Sequence, residues 1–212
     1  MARNTQKACT VSSGSGARVP ELVLASGSPR RRKLLAQIGL KFKVVAVDID
    51  ETRRPFERAE VYVRRLAHLK ALAGYVREGK SAPVLGADTT VVLDNTILGK
   101  PANRDEALSM LGTLSGRTHQ VLTAVSVRAQ GYEATRLSVS HVRFRAISLA
   151  QRNAYWACGE PIDKAGAYAI QGKAAIFIEY LQGSYSGVMG LPLFETAELL
   201  AQIGIDPLRD SV

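Results

Sequence analysis

The sequence contains few of the residues that build disulfide frameworks or zinc sites. Its two cysteines, Cys9 and Cys158, form no C-x-x-C motif, so neither a disulfide framework nor a zinc site is predicted. The three histidines, His68, His119 and His141, are too isolated to indicate a metal triad. No apolar run reaches the roughly 18 residues of a membrane span, and no secretory signal is evident. We therefore expect a cytoplasmic protein without a membrane partner.

Three common enzyme signatures are also missing: the G-x-x-x-x-G-K-[ST] P-loop, the G-x-G-x-x-G dinucleotide fingerprint and the G-x-S-x-G nucleophile elbow. His119 begins an apolar stretch without an accompanying serine or cysteine nucleophile. We interpret it as a structural residue that forms hydrogen bonds at the start of a strand. Aromatic residues make up only 6% of the chain and are not interleaved with basic residues, which argues against single-stranded nucleic acid as a partner.

Positive charge, by contrast, is in excess, with a net charge of +9. This balance favours a polyanionic partner, such as a nucleotide, a nucleic acid or an acidic membrane surface. Residues 1–20 are polar and rich in serine and glycine, and we expect them to form a disordered N-terminal extension. No repeat, low-complexity block or proline-rich linker follows, so residues 21–212 are predicted to form a single domain.

Strand-like and helix-like segments alternate along the chain. Runs rich in valine, isoleucine, leucine and threonine predict strands at Leu22–Ala25, Phe42–Val47, Pro83–Ala87, Thr89–Asp94, His119–Arg128, Arg136–Phe144 and Ala174–Tyr180. Apolar periodicity and capping residues predict helices at Arg30–Ile38, Glu57–Arg77, Ser148–Trp156 and Leu193–Gln202, with a further helix after Asn103. We expect an α/β fold, with a mixed sheet, flanking helices and two lobes around a cleft.

The connection between the first predicted strand and helix indicates an anionic ligand. Ser26-Gly27-Ser28 forms a turn, and Pro29 suits the first turn of a helix. Such a turn presents unpaired backbone N–H groups and the positive end of the helix dipole. Residues 30–33 are four consecutive cations in a position that the dipole disfavours. This conflict predicts that the segment holds an anion, with phosphate as the leading candidate.

Asp88 lies between two apolar runs, where burial of a carboxylate is costly without partners. Spacing alone leaves two interpretations open: a turn aspartate bonded to its own backbone, or a carboxylate that holds a metal or acts as a general base. Asp48, Asp50 and Glu51 are typical of a solvated loop. If the fold brings this acidic cluster near Asp88, two carboxylates could share a divalent cation.

Three lysines are candidates for phosphate binding. Lys100 and Lys164 lie in loops bounded by glycine and proline, and Lys70 lies on the polar side of the predicted helix at 57–77. Each of them alone is typical of a solvated side chain. Their number, rather than any single one, favours a phosphate ligand.

Seven motifs of the sequence stand in the same order as in a known family. They are Leu24-Ala-Ser-Gly-Ser-Pro-Arg-Arg31, Gly86-Ala-Asp-Thr89, Gly99-Lys-Pro101, Ser115-Gly116 with Thr118-His119, Asp163-Lys-Ala-Gly-Ala-Tyr168, Ile170-Gln-Gly172 and Gly190-Leu-Pro-Leu193. Over about residues 21–203, the sequence thus resembles the Maf family of nucleoside triphosphate pyrophosphatases. The resemblance implies a fold of the inosine triphosphatase (Maf/Ham1) class, often as a homodimer. It also implies hydrolysis of a nucleoside triphosphate to the monophosphate and pyrophosphate, with Mg²⁺ or Mn²⁺ as cofactor.

The resemblance also implies the roles of individual residues. Asp88 is the expected catalytic residue, and Glu51 and Asp88 are the expected metal ligands. The residues expected to bind substrate are Ser26, Arg30, Arg31, Lys70, Thr89, Lys100, Lys164 and Gln171. Among them Arg30, Thr89 and Gln171 resemble the branch that prefers dTTP and UTP over 7-methyl-GTP.

Other functions stay open at this point. One alternative is a nucleotide-binding regulator of septum formation with weak catalysis, and another is a 7-methyl-GTP pyrophosphatase. The net charge favours a nucleic-acid-binding module, but the sparse aromatic residues and the acidic cluster argue against it. We therefore expect a nucleotide substrate and no nucleic-acid partner.

Overall fold

A computed structural model describes residues 22–209 of the protein. The predicted disordered extension at residues 1–20 lies outside the described residues. The strands are β1 (Leu22–Leu24), β2 (Phe42–Val44), β3 (Val84–Leu93), β4 (Thr96–Leu98), β5 (Thr118–Ala129), β6 (Tyr132–Phe144) and β7 (Ile178–Gln182). The α-helices are α1 (Pro29–Gln37), α2 (Ala59–Arg77), α3 (Arg104–Leu114), α4 (Leu149–Ala157), α5 (Tyr185–Met189) and α6 (Leu193–Ala201).

The seven strands form one mixed sheet, which confirms the predicted α/β class. Its order is β2-β1-β3-β5-β6-β7, and β4 pairs with β3 as a hairpin. Strand β1 is parallel to both β2 and β3, whereas the other pairs are antiparallel. Because β1 pairs with β3 only as far as Leu24 and Leu85, β3 continues beyond the end of β1. The edge at which parallel strands end is the usual place for a ligand in such sheets.

Two predicted strands are in fact one. The runs at Pro83–Ala87 and Thr89–Asp94 form the continuous strand β3, so the interpretation of Asp88 as a turn residue is wrong. The predicted strand at Ala174–Tyr180 also needs correction, because Lys173–Phe177 is a 3₁₀ helix and β7 begins at Ile178. The Glu160 carboxylate accepts hydrogen bonds from the backbone nitrogens at the start of this turn, which favours the helical conformation.

The helix starts and the turn that capping and turn residues predict agree with the structure better than the two strands corrected above. The Asn103 side chain accepts a hydrogen bond from the Glu106 nitrogen and begins α3, as predicted. Ser148 and Gln151 form a reciprocal capping box at the start of α4. The turn at Asp94-Asn95 joins β3 to β4, with both residues in the left-handed conformation.

The two largest hydrophobic clusters involve opposite ends of β3. Val91 and Leu93 belong to a cluster with α3, α4 and the ends of β5 and β6, whereas Leu85 and Ala87 pack with β1, α1 and α6. The polar residues of β3, Asp88 to Thr90, lie between these clusters. No helix within residues 22–209 is long and apolar enough to cross a membrane.

Candidate active site

A cleft of about 680 Å³ lies beside the middle of β3 and the end of β1. Every residue for which the sequence predicted a catalytic, metal-binding or substrate-binding role lines this cleft. They are Ser26, Arg30, Arg31, Glu51, Lys70, Asp88, Thr89, Lys100, Lys164 and Gln171. The fold therefore brings together residues from seven separate stretches of the sequence.

Gly86 brings helix α2 close to strand β3. A Cβ atom at this position would lie 2.5 Å from both the Ala67 carbonyl oxygen and the Ala71 nitrogen, so the contact requires glycine. Side chains two residues apart in a strand point to the same face, so Asp88 also faces this helix. Lys70, which precedes Ala71 in the helix, thereby reaches the Asp88 carboxylate.

Lys70 joins the two predicted metal-binding carboxylates. Its Nζ lies 2.7 Å from Asp88 Oδ1 and 2.7 Å from Glu51 Oε1. Burial raises the pKa of the Asp88 carboxyl above its ordinary value and outweighs the opposing charges of Lys70 and Arg31. Burial also acts to raise the pKa of Glu51, but the hydrogen bond and charge of Lys70 hold it below the usual value. Two neighbouring carboxylates with shifts in opposite directions are suited to different tasks in proton transfer.

Arg31 is held in the cleft by three uncharged oxygens. Its Nε donates to the Gly190 carbonyl oxygen at 2.7 Å, and its Nη1 and Nη2 donate to Ser26 Oγ at 3.3 Å and Thr89 Oγ1 at 3.2 Å. Burial lowers the pKa of this guanidinium, although the charge of Asp88 opposes the shift. A partly buried cation hydrogen-bonded to neutral oxygens keeps its charge available for an anion.

Of the four cations at the start of the first helix, Arg30 and Arg31 line the cleft and the other two do not. Arg30 lines the cleft and donates from Nε to the Met189 carbonyl oxygen at 3.2 Å. Arg32 and Lys33 are exposed, and the lining of the cleft within residues 22–209 does not include them. The sequence thus located the cationic helix start correctly, but only two of its four cations face the cleft.

The remaining predicted substrate ligands surround these groups. Thr89 Oγ1 accepts from Arg31 and lies 3.0 Å from Thr123 Oγ1, which itself donates to the Gly187 carbonyl oxygen at 2.7 Å. Lys100 and Gln171 are exposed at the cleft. Lys164 Nζ donates to the Ile162 carbonyl oxygen, and burial, followed by the charge of Arg30, lowers the pKa of this lysine.

The acidic cluster is split by the structure. Among residues 22–209 the lining of the cleft includes Glu51 but neither Asp48 nor Asp50. Asp50 is exposed and accepts a hydrogen bond from the Thr52 nitrogen, as expected for a solvated loop. Asp50 therefore fits the interpretation as a solvated loop, whereas Glu51 lies near Asp88, which is the condition that a shared metal site requires.

Sequence reasoning missed the contacts that fix the loop carrying Glu51. Tyr62 lines the cleft and donates from its hydroxyl to the Glu51 carbonyl oxygen at 3.1 Å. Arg65 in α2 forms a bidentate pair with Glu57 and also donates to the Thr52 carbonyl oxygen. A signal for Tyr62 was present, because Tyr62 and Lys70 are eight residues apart and therefore share one face of the helix.

His119 is structural, as predicted. It is buried, with Nε2 2.9 Å from the Tyr168 hydroxyl, and it packs edge-to-face against Phe144 and Tyr168. Burial lowers the pKa of this imidazole to about 4, so it is neutral at physiological pH. It belongs to a hydrophobic environment and not to the cationic cleft.

The carboxylate oxygens at Lys70 fit a hard divalent cation in their chemistry. Carboxylate oxygens are the ligands that Mg²⁺ and Mn²⁺ prefer, and Mg²⁺ takes one or two carboxylates with phosphate oxygens and water in the remaining positions. The oxygens of Asp88 and Glu51 both contact one nitrogen, so the two carboxylates converge on one place in the cleft. The described part of the chain holds no cluster of three or more His, Cys, Asp or Glu side chains arranged for a metal. The fit is therefore to a cation that a phosphate ligand helps to hold.

Comparisons with known proteins agree with the motifs. Residues 21–203 match the family described as Maf-like protein. A protein of Alkalilimnicola ehrlichii named dTTP/UTP pyrophosphatase is 55% identical over 195 residues, covering 90% of this chain and 96% of the relative. A dTTP/UTP pyrophosphatase of Methylococcus capsulatus is also 55% identical, over 189 residues that cover 89% of this chain and 94% of the relative.

Among solved structures, a nucleoside-triphosphatase (dITP/XTP pyrophosphatase) from Mycobacterium abscessus aligns at 16% identity with a TM-score of 0.41. The alignment covers 58% of this chain and 74% of that protein. The family assignment stands instead on the long sequence matches at 55% identity and on the match to residues 21–203. The chain belongs to the Maf family.

Proposed function

We propose that the protein is a nucleoside triphosphate pyrophosphatase that hydrolyses dTTP and UTP to the monophosphate and pyrophosphate. The observation that carries the proposal is the cluster of Asp88, Glu51 and Lys70 in a cleft that also contains the partly buried cation Arg31. The names of the relatives support the substrate class.

The cationic side of the cleft suits the triphosphate. Arg31 is positioned by three hydrogen bonds before any ligand arrives, so its binding geometry costs little further side-chain entropy. Arg30, Lys100 and Lys164 add charge around it, and lysines in loops can follow the phosphates as compact point charges. We assign these four residues, with Ser26, to the phosphate chain.

The acidic side of the cleft suits the reacting water. A divalent cation bound by Glu51 and Asp88 would neutralise charge on the phosphates and on the leaving pyrophosphate. Asp88, whose carboxyl pKa is raised by burial, is the group suited to orient water and accept its proton at the α-phosphorus. The bond between the α-phosphorus and the bridging oxygen breaks as the bond from water forms. No covalent intermediate with the protein is needed.

Gln171 is the proposed reader of the base. Its exposed amide offers a donor and an acceptor, which suits the O4 and N3–H pattern shared by thymine and uracil. Thr89, another of the expected substrate-binding residues, is engaged by Arg31 and Thr123. We therefore assign Thr89 to the orientation of Arg31, next to the base site.

A substrate panel tests the proposal. Purified full-length protein is incubated with Mg²⁺ or Mn²⁺ and each of dTTP, UTP, 7-methyl-GTP and dITP, and pyrophosphate release is measured. We expect pyrophosphate and the monophosphate, with dTTP and UTP preferred. Preference for 7-methyl-GTP would assign the chain to the other branch, and tight binding without pyrophosphate release would favour a nucleotide-responsive regulator.

Two further expectations belong to this proposal. A cytoplasmic enzyme agrees with the free, exposed Cys158. A homodimer follows from the resemblance stated above, and light scattering of the purified protein would test it through the molar mass.

A further inference from the structure

The position of Lys70 has a consequence for how the cleft takes up its cation. The ammonium lies 2.7 Å from both carboxylates, and the Lys70 and Asp88 side chains are only 12% and 10% exposed. Glu51, at 48% exposure, closes the contact from the side of the loop. One positive charge thus bridges a strand and a loop at the point where the two acidic oxygens converge.

A divalent cation bound by the same oxygens of both carboxylates, Asp88 Oδ1 and Glu51 Oε1, would occupy this place. Mg²⁺ binds oxygen at about 2.1 Å, which is closer than the ammonium lies to either carboxylate. The ion and the ammonium would then be in direct contact, and two cations at that distance repel each other strongly. We propose that the Lys70 ammonium occupies the position of the cation when no ion is bound. It leaves both carboxylates when a divalent ion binds and is then free to contact the triphosphate. This inference rests on the proposed function, because the ion is the cofactor of that reaction.

The side chains in the cleft differ in their freedom to make such a move. Arg31 is held by hydrogen bonds to three oxygens on three parts of the chain, and a move would break all of them. Lys70 has a flexible four-carbon stem and a compact charge, so it can change partners without a change in the backbone. Gly86 keeps α2 against β3, which limits the movement to the side chain.

The exchange couples the ion to the nucleotide. Without nucleotide, the ion must break two ion pairs of Lys70, so its affinity is reduced. When a triphosphate is present, its oxygens give the displaced ammonium a new partner and also complete the coordination of the ion. Because such coupling is reciprocal, nucleotide should tighten binding of the ion and the ion should tighten binding of nucleotide.

Manganese binding to the nucleotide-free, full-length protein tests the proposal directly. Free Mn²⁺ is measured by electron paramagnetic resonance for wild type, Lys70→Met, Lys70→Arg and Lys100→Met. Methionine keeps an unbranched apolar chain but removes the charge, and Lys100→Met removes a charge from the same cleft without touching the bridge. We expect Lys70→Met to bind Mn²⁺ about tenfold more tightly than wild type, since one partly buried ion-pair arrangement no longer has to be broken. Lys100→Met should change affinity by less than about threefold, and Lys70→Arg should not increase it.

Equal Mn²⁺ affinities of Lys70→Met and Lys100→Met would overturn the proposal, as would weaker binding by Lys70→Met. This result does not depend on turnover. A wild-type protein that binds Mn²⁺ but releases no pyrophosphate would contradict the proposed function and leave the exchange at Lys70 intact.

A second measurement uses the wild-type protein and so avoids any effect of substitution on folding. Reductive methylation of lysines is followed by peptide mass spectrometry with and without saturating Mn²⁺. Displacement from the carboxylates should increase the methylation rate of Lys70 severalfold relative to Lys43, whose exposed pair with Glu78 lies outside the cleft. An unchanged ratio at saturating Mn²⁺ would show that Lys70 stays in place.

Discussion

Two of the cations of helix α2, Arg65 and Lys70, lie five residues apart and are paired in different ways. The Arg65 guanidinium contacts Glu57 through two parallel hydrogen bonds, from Nε at 2.6 Å and from Nη2 at 2.7 Å. The Lys70 ammonium is shared between two carboxylates, Asp88 and Glu51. The pair of Arg65 with Glu57 joins the loop before α2 to the helix. The contacts of Lys70 join the helix to strand β3, through Asp88, and to the loop that carries Glu51.

The effect on the carboxylates differs accordingly. The hydrogen bonds from Arg65 hold the pKa of Glu57 at about 2, so this side chain is ionised throughout the physiological range. At Asp88 burial outweighs the nearby cations and raises the carboxyl pKa. In a bidentate pair the hydrogen-bonding groups of both side chains are satisfied, and the pair stabilises the fold. An ammonium shared between two carboxylates leaves part of their hydrogen-bonding capacity for a ligand. The pair of Arg65 with Glu57 is thus structural, whereas the contacts of Lys70 on the same helix are those that we propose to be functional.

The largest expected effect concerns Asp88. Asp88→Asn should lower the rate of pyrophosphate release from dTTP by about 10²–10⁴-fold, the usual contribution of a positioned base. Glu57→Gln should lower it by less than tenfold, because Glu57 acts only through the loop. Asp94→Asn, in the turn at the other end of β3, is the matched control. Near-normal turnover by Asp88→Asn would contradict the catalytic role proposed for Asp88.

The close approach at Gly86 gives the next largest effect. Gly86→Ala places a Cβ at 2.5 Å from two backbone atoms of α2, so the helix must shift away from β3. We expect a loss of about 2–3 kcal/mol in the free energy of unfolding, measured in urea. Catalysis should fall as well, because Lys70 moves away from Asp88. Gly99→Ala, where an added Cβ meets nothing within 4 Å, should leave the stability nearly unchanged.

Loss of the ion pair between Arg65 and Glu57 should lower the free energy of unfolding somewhat less than Gly86→Ala does. Glu57→Gln leaves the Arg65 side chain, which is only 13% exposed, without its carboxylate partner. We expect a loss of about 2 kcal/mol in the free energy of unfolding. Glu51→Gln should cost less than about 1 kcal/mol, since Glu51 is half exposed and Lys70 keeps its contact with Asp88. Equal losses for the two variants would show that the pairs do not differ as the geometry indicates.

The pH dependence of stability gives the smallest and most specific effect. Because the pKa of Glu57 is lower in the folded protein, its contribution is complete above the ordinary value of 4.5 and is lost as the pH falls toward about 2. The difference in unfolding free energy between wild type and Glu57→Gln should therefore shrink over this range. Asp88 acts in the opposite direction, because a raised pKa in the folded state lowers stability as the pH rises. If the difference in unfolding free energy between wild type and Glu57→Gln stayed constant from pH 6 to pH 2.5, the lowered pKa of Glu57 in the folded protein would be contradicted.

The sequence predicted the residues of the cleft better than their arrangement. The helix start at Pro29, the turn at Asp94-Asn95 and the cap at Asn103 depend on local chemistry and were confirmed. Asp88 was placed between two strands because a carboxylate inside an apolar run looks like a break. Its long-range partner, Lys70, is what allows β3 to continue through it. Helical spacing had placed Lys70 on a polar face, where nothing local marks such a contact.

The spacing of residues in the sequence does not predict contacts between side chains that lie on different elements or loops. The bidentate contact of Arg65 with Glu57 and the contact of Arg31 with the Gly190 carbonyl oxygen depend on how the chain folds back. The acidic cluster shows the same limit, because Asp50 and Glu51 are neighbours in the sequence, yet Glu51 lines the cleft and Asp50 does not.

The central claim is that the cleft directs water to the α-phosphorus of a nucleoside triphosphate. Hydrolysis of dTTP in ¹⁸O-labelled water, followed by mass spectrometry of both products, tests it most directly. The account predicts one ¹⁸O atom in dTMP and none in pyrophosphate. Label in pyrophosphate, or release of dTDP and inorganic phosphate, would contradict it.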